Sequence, residues 1–136
     1  MTNGERADRL VREARQIAGE MQRALDDEAW NLATRRAQEA LELAIKALLN
    51  EMSVDYQKTH DPAPVFAQAV RTRGIGVDAG VLDSLTLLSR ELARIRSPVF
   101  YQETVVTDAQ ARDWVQRVER ALQFAEELLR RLRRTS

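Results

Sequence analysis

The sequence contains no cysteine and has few glycines, prolines and aromatic residues. Among its 136 residues are five glycines, three prolines and 5% aromatics. Without cysteine the chain cannot form a disulfide framework, a thiolate metal site or a cysteine nucleophile. Long stretches rich in Ala, Leu, Glu and Arg favour an all-α protein. With a single histidine and no cysteine, we expect no metal site and no cofactor.

The sequence also lacks an excess of charge of either sign. It has 21 basic and 21 acidic residues, so its formal net charge is zero. Zero net charge argues against a protein that holds nucleic acid through bulk positive charge, although a local basic patch remains compatible with it. No apolar run has the length of a membrane span, and the N-terminus lacks the apolar stretch of a signal peptide. We therefore predict a soluble, cytoplasmic protein without membrane contact, and one domain over residues 1–136.

A continuous helical pattern runs from about Glu28 to Met52. Apolar residues recur there at spacings of three and four, which places them on one broad face of a helix. Several of these residues are alanines, which allow neighbouring helices to approach closely. We therefore predict that this helix lies at the centre of the fold, with these alanines against its neighbours: Ala33, Ala37, Ala40 and Ala44.

Similar patterns predict an up-and-down bundle of four longer helices and one short helix. The predicted ranges are about Gly4 to Leu25, Glu28 to Met52, Val65 to Arg73, Asp78 or Ala79 to Arg96, and a final helix after Thr107. The final helix ends in RRLRR at residues 130–134. These arginines either complement the negative end of the helix dipole or contact nucleic acid.

Particular residues predict where the helices begin and end. Asp26 or Asp27 is expected to cap the second helix, and Asp78 the fourth. Thr107 with Gln110 forms a capping box at the start of the last helix. Pro98 is expected to end the fourth helix at the preceding residue, because proline has no N–H and disfavours helical angles before it. Residues 99–106 then form an ordered loop, and the glycines at 74 and 76 form a helix stop and turn.

A narrow polar stripe runs along the second helix. At 100° per residue its members fall within one sector: Asn31, Arg35, Gln38, Glu42 and Lys46, with Glu39 at the edge. One interpretation is a solvated face that carries the spacing-four pairs Arg35–Glu39 and Glu42–Lys46. The other is a polar patch that meets a ligand or a partner. The residues alone leave both open.

Three short segments, RRAQEALELAIKALL at residues 35–49, KTHD at 58–61 and RIRSP at 94–98, together resemble the HEPN domain family, small helical domains common in bacteria and archaea. Residues 35–49 (RRAQEALELAIKALL) are similar to the family's second-helix signature. Residues 58–61 (KTHD) resemble the turn that follows it, with Pro62 where an aliphatic residue is usual. Residues 94–98 (RIRSP) resemble the Arg-Tyr-Pro segment at the end of the family's fourth helix, with Ser97 in place of the aromatic residue.

The resemblance implies a HEPN-like bundle that binds nucleotide or RNA. It further implies a homodimer, because family members typically pair, and a small MNT-type nucleotidyltransferase as partner in a toxin–antitoxin-like module. The implied ligand-binding residues are Arg35, Gln38, Glu42, Lys46, Arg94, Arg96 and Tyr101. In such a site an arginine would hold a phosphate bidentately, and the tyrosine would stack on a base.

Catalytic members of the family are metal-independent ribonucleases with an arginine followed four to six residues later by a histidine. Arg94 and Arg96 stand near the arginine position, but residues 99–103 (VFYQE) contain no histidine. We therefore predict a non-catalytic member with no catalytic residues. A ribonuclease toxin and a purely structural protein-interaction bundle remain the alternatives. The one histidine, His60, is either a local hydrogen-bonding residue or a titrating group.

Overall fold

The computed structural model describes residues 1–135, which form five α-helices and no strand. The helices are α1 (Asn3–Asp26), α2 (Trp30–Glu51), α3 (Ala63–Thr72), α4 (Ala79–Phe100) and α5 (Asp108–Arg134). The predicted all-α bundle of four longer helices and one short helix is confirmed. Within these residues, no helix combines the length and the apolar character that crossing a membrane requires.

Helix α2 lies at the centre of the bundle, as predicted. It contacts each of the other four helices. The four predicted alanines are fully buried, so the backbones of the neighbouring helices approach α2 closely. The leucines and the isoleucine of the same face fill the core between the helices.

The connection between α1 and α2 differs from the predicted one. Neither Asp26 nor Asp27 caps α2, whose N-cap is Ala29 without a side-chain hydrogen bond. Glu28 instead adopts a left-handed conformation with φ 61°. Its N–H donates to Leu25 O, and the N–H of Ala29 donates to the carbonyl of the residue before Leu25. Because of this Schellman closure, both aspartates belong to the end of α1 rather than to the start of α2. The prediction that one of them caps α2 is therefore wrong.

Helix α4 continues through Pro98 to Phe100, so the predicted stop at Ser97 is also wrong. Proline removes one N–H from the helix but leaves the carbonyls of its last turn available. Those carbonyls are satisfied from the following turn, where Gln102 N–H donates to Val99 O and Glu103 N–H donates to Pro98 O. Gln102 makes this closure by adopting φ 58°. Only residues 101–107 are therefore left between α4 and α5.

The predicted N-terminal caps of the last two helices are confirmed. Asp78 accepts hydrogen bonds from the N–H groups of Gly80 and Val81 at the start of α4. Thr107 and Gln110 form the reciprocal capping box of α5.

Two loops pack along the side that α2 and α4 share. The loop after α2 lies across the middle of that helix, because His60 reaches back to Gln38 and Glu42. The loop after α4 reaches Asn31 in the first turn of α2. The end of α4 therefore lies beside the beginning of α2, and the two helices run antiparallel. We call the side formed by α2, α4 and these two loops the α2–α4 surface.

Candidate functional site

The polar stripe of α2 is largely buried at the α2–α4 surface. Gln38 is 3% exposed, and the side chains of Glu42 and Lys46 are each 15% exposed. The cause is the loop after α2, which places His60 over this part of the helix. For these three residues the solvated-face interpretation is wrong.

Glu42 is the centre of the buried hydrogen-bond network. Its Oε1 accepts from Gln38 Nε2 at 2.9 Å and lies 2.9 Å from His60 Nδ1. Its Oε2 accepts from Lys46 Nζ at 2.8 Å, so the predicted Glu42–Lys46 pair is confirmed. Burial disfavours the charged carboxylate, but these hydrogen bonds outweigh it and hold the pKa of Glu42 below its ordinary value.

The ionised carboxylate of Glu42 fixes the role of His60. A carboxylate can only accept hydrogen bonds, so the proton of a neutral imidazole sits on Nδ1. Nε2 of His60 is then an acceptor, and it makes no hydrogen bond within residues 1–135. The His60 side chain is 50% exposed, which leaves this nitrogen open to a ligand.

Further contacts hold the loop that carries His60. Ser89 Oγ of α4 donates to Asp61 Oδ1 at 2.5 Å. Asn50 Nδ2 donates to the hydroxyl of Tyr56 at 2.9 Å, and Lys46 Nζ lies 5.9 Å from the centre of the Tyr56 ring. The loop is therefore attached to both α2 and α4.

Arg35 lies towards the beginning of α2, where the surface opens to solvent. Its guanidinium carbon is 4.6 Å from the centre of the Phe100 ring, a cation–π contact. Phe100 and Tyr101 meet edge to face with centroids 5.0 Å apart, and Tyr101 is 66% exposed. The predicted Arg35–Glu39 pair is wrong, because Glu39 pairs with Arg36 at 2.8 Å. Within the described chain Arg35 has no carboxylate partner.

The two arginines near the end of α4 point in different directions. Residues two apart on a helix differ by about 200°, so Arg94 and Arg96 lie on nearly opposite sides. Arg96 is half-buried, one turn before Phe100 and on the same side. Arg94 is exposed on the outer side of α4. Of the two, Arg96 shares a side of α4 with the contacts to α2, and Arg94 does not.

Sequence reasoning located the α2 stripe but missed some of its neighbours. His60 is 18 residues from Glu42 in the chain, and no local spacing brings the two together. The KTHD segment at residues 58–61 was the only signal that pointed to it. Phe100 was missed because the predicted helix ended before it.

Among the described residues, no group of three or more His, Asp or Glu side chains is arranged to hold an ion. Two surface depressions lie away from the α2–α4 surface, along the outer side of α1 and between α3 and the loop before it.

The sequence model of the HEPN domain matches residues 7–132, which is nearly the whole chain. No curated protein and no solved structure gives a significant match to the chain.

Proposed function

Since the chain belongs to the HEPN domain family, we propose that it binds a nucleotide or RNA at the α2–α4 surface without cleaving it. Family membership supports a role related to nucleotides or RNA in general. The residues proposed to contact the ligand are Arg35, Arg96, Phe100 and Tyr101, with Gln38, Glu42 and Lys46 further along α2 and His60 on the loop after it.

One observation carries this proposal: an arginine without a carboxylate partner lies on an aromatic ring at an open surface. Arg35 stacks on Phe100, and the ring of Tyr101 is exposed beside it. A guanidinium that is not neutralised by a carboxylate is available for bidentate contact with a phosphate. An exposed aromatic face next to it can stack on a base. A nucleotide contains both chemical groups.

The buried network further along α2 supports the same site. Charged side chains are rarely buried unless they are paired, and buried ionic networks contribute little net stability. The lowered pKa of Glu42 marks a perturbed carboxylate at a surface that opens to solvent, a combination enriched at functional sites. The network therefore favours a binding role over a purely structural one.

Binding of labelled ATP and single-stranded RNA to the Arg35→Ala variant tests the proposal. Loss of a charged hydrogen bond to phosphate is expected to weaken binding more than about tenfold. Arg90→Ala is the matched control, because Arg90 is exposed on α4 and makes no hydrogen bond or ion pair within residues 1–135. If the two variants bind equally well, Arg35 is not part of the site.

We also propose that the protein is a homodimer and that it works with an MNT-type nucleotidyltransferase in a toxin–antitoxin-like module in the cytoplasm. The support for this part is the family resemblance of residues 35–49, 58–61 and 94–98. Sedimentation velocity of the purified protein tests the dimer. Co-expression with a nucleotidyltransferase encoded beside it, followed by purification of one tagged chain, tests the partner.

A second candidate function is ribonuclease activity, and the contact between Glu42 and His60 favours it. A carboxylate at Nδ1 orients an imidazole so that Nε2 can accept a proton, here from a ribose 2′-hydroxyl. This candidate predicts RNA cleavage in EDTA that is lost in His60→Ala and kept in Arg90→Ala. Binding without cleavage in the unsubstituted protein would exclude it.

A further inference from the structure

We propose that Asn31 is a positioning residue that fixes the loop after α4 and thereby holds Tyr101 at the ligand-binding surface. This inference rests on the proposed function and adds to it a residue that does not itself touch the ligand. Asn31 lies in the first turn of α2, and its side chain joins that helix to the loop at residues 101–107.

The amide of Asn31 makes three hydrogen bonds to this loop. Its Nδ2 donates to Thr104 O at 3.0 Å and to Gln102 Oε1 at 3.2 Å. Its Oδ1 accepts from the N–H of Val106 at 2.9 Å. One side chain thus contacts the loop at three points, Gln102, Thr104 and Val106, and both its donor and its acceptor are used.

The first residues of the loop bond back to α4 and Thr107 caps α5, whereas the middle of the loop has no such bonds. Within the described chain, the backbone of residues 104–106 makes hydrogen bonds only to Asn31. Val106 is buried beside Val99 and Ala111, while Val105 is 84% exposed. Packing at Val106 therefore anchors the end of the loop, and Asn31 determines how its middle approaches α2.

The N–H of Tyr101 donates to Ser97 O, which holds its backbone at the end of α4, whereas its side chain has few contacts. Its hydroxyl makes no hydrogen bond within residues 1–135, and its one ring contact is the edge-to-face pair with Phe100. Tyr101 immediately precedes Gln102, whose left-handed backbone turns the chain and whose side chain bonds to Asn31. Left-handed backbone is unfavourable for a residue with a side chain, so the bond to Asn31 helps to maintain it.

The test measures ATP affinity of Asn31→Ala, Tyr101→Ala and the double variant. Removing base stacking is expected to weaken binding at least about fivefold. Asn31→Ala should weaken ATP binding by the same factor. The double variant should bind no more weakly than Tyr101→Ala alone, because both substitutions remove the same interaction, the stacking of Tyr101 on the base. Amide hydrogen exchange at Val106 should accelerate in Asn31→Ala.

Matched substitutions separate positioning from a general loss of structure. Asn50→Ala removes two hydrogen bonds made by another α2 asparagine, to Lys46 O and to Tyr56, and should leave exchange at Val106 unchanged. Gln102→Ala removes one of the three loop bonds at an exposed residue, and it should cause a smaller loss of affinity than Asn31→Ala. It therefore still tests the inference if Asn31→Ala folds poorly.

Four outcomes would overturn the inference. Additive losses in the double variant, or faster exchange at Val106 without weaker binding, would show that Asn31 does not act through Tyr101. If Arg35→Ala weakens ATP binding while Asn31→Ala does not, this inference fails and the proposed function stands. If no variant affects ATP binding, the proposed function fails as well.

Discussion

Glu42 is a charged residue whose carboxylate is largely buried. Three donors surround its carboxylate, and they hold its pKa below the ordinary value although burial acts in the opposite direction. A carboxyl group whose pKa is lower in the folded state stabilises that state above its unfolded pKa. This contribution is lost as the pH falls through the pKa of the folded protein.

Replacing Glu42 by Gln should therefore lower the free energy of unfolding near neutral pH by about 1–3 kcal/mol, because Lys46 loses its buried partner. At acidic pH, as the pH falls through the lowered pKa of Glu42, the difference from the unsubstituted protein should shrink, since Glu42 then becomes protonated in both the folded and the unfolded state. Urea unfolding at the two pH values measures both effects. Glu39→Gln is the control: its partner Arg36 is more exposed, and a pH dependence of equal size there would contradict the role given to Glu42.

At this scale the sequence predicted the residues of the α2 stripe but only some of their contacts. Glu42 and Lys46 pair because they share a helix at a spacing of four, which can be read from the chain. Arg35 and Arg36 are adjacent, and which of them meets Glu39 depends on the neighbouring helices. Arg36 faces Glu20 of α1, whereas Arg35 faces Phe100 of α4.

The first four helices end in the same way. Each is followed by a residue in the left-handed region, with φ between 55° and 62°: Glu28, Ser53, Gly74 and Gln102. Each of these residues donates its N–H to a carbonyl of the last helical turn, and the next residue donates to a carbonyl further back. These are Schellman closures, and only one of the four uses glycine.

Gly74→Ala should destabilise the protein by about 1–2 kcal/mol, because an L-residue is strained at this φ. A Cβ built on Gly74 meets nothing within 4 Å, so the loss would come from the backbone alone. Gly76→Ala is the control in the same turn: it also has open space, and its φ lies outside the left-handed region. That variant should be neutral or more stable by about 0.4–1 kcal/mol. Equal effects on thermal unfolding would contradict the explanation.

These closures also explain which helix boundaries the sequence predicted. The beginnings of α4 and α5 depend on Asp78, Thr107 and Gln110, whose side chains form recognisable caps. The ends of α1 and α4 depend on backbone conformations at Glu28 and Gln102, residue types that do not signal a helix end. The wrong prediction that α4 stops before Pro98 has the same origin. It considered the missing N–H of proline but not the turn at Gln102, whose N–H groups satisfy the last carbonyls of the helix.

For the molecule as a whole, the apolar patterns of the five helices were sufficient to predict the bundle, whereas the site depends on contacts between distant segments. The alanine face of α2 packs as expected because it faces every other helix. The contacts of His60 with Glu42 and of Asn31 with Thr104 join residues that are far apart in the chain. Such contacts arise from how the loops fold over the bundle, and no repeat in the sequence encodes them.

Arg133 connects three helices at one end of the bundle. It donates to Asp8 and Gly4 O of α1 and to Glu51 of α2, and these carboxylates raise its pKa. Arg133→Ala should lower the free energy of unfolding by about 1 kcal/mol, and less at high salt, because the ion pairs are partly exposed. The control is Arg134→Ala, one residue further on, which should have little effect because Arg134 makes no ion pair within residues 1–135. Equal losses in urea unfolding, or a difference insensitive to salt, would show that Arg133 does not join the helix ends through its charge.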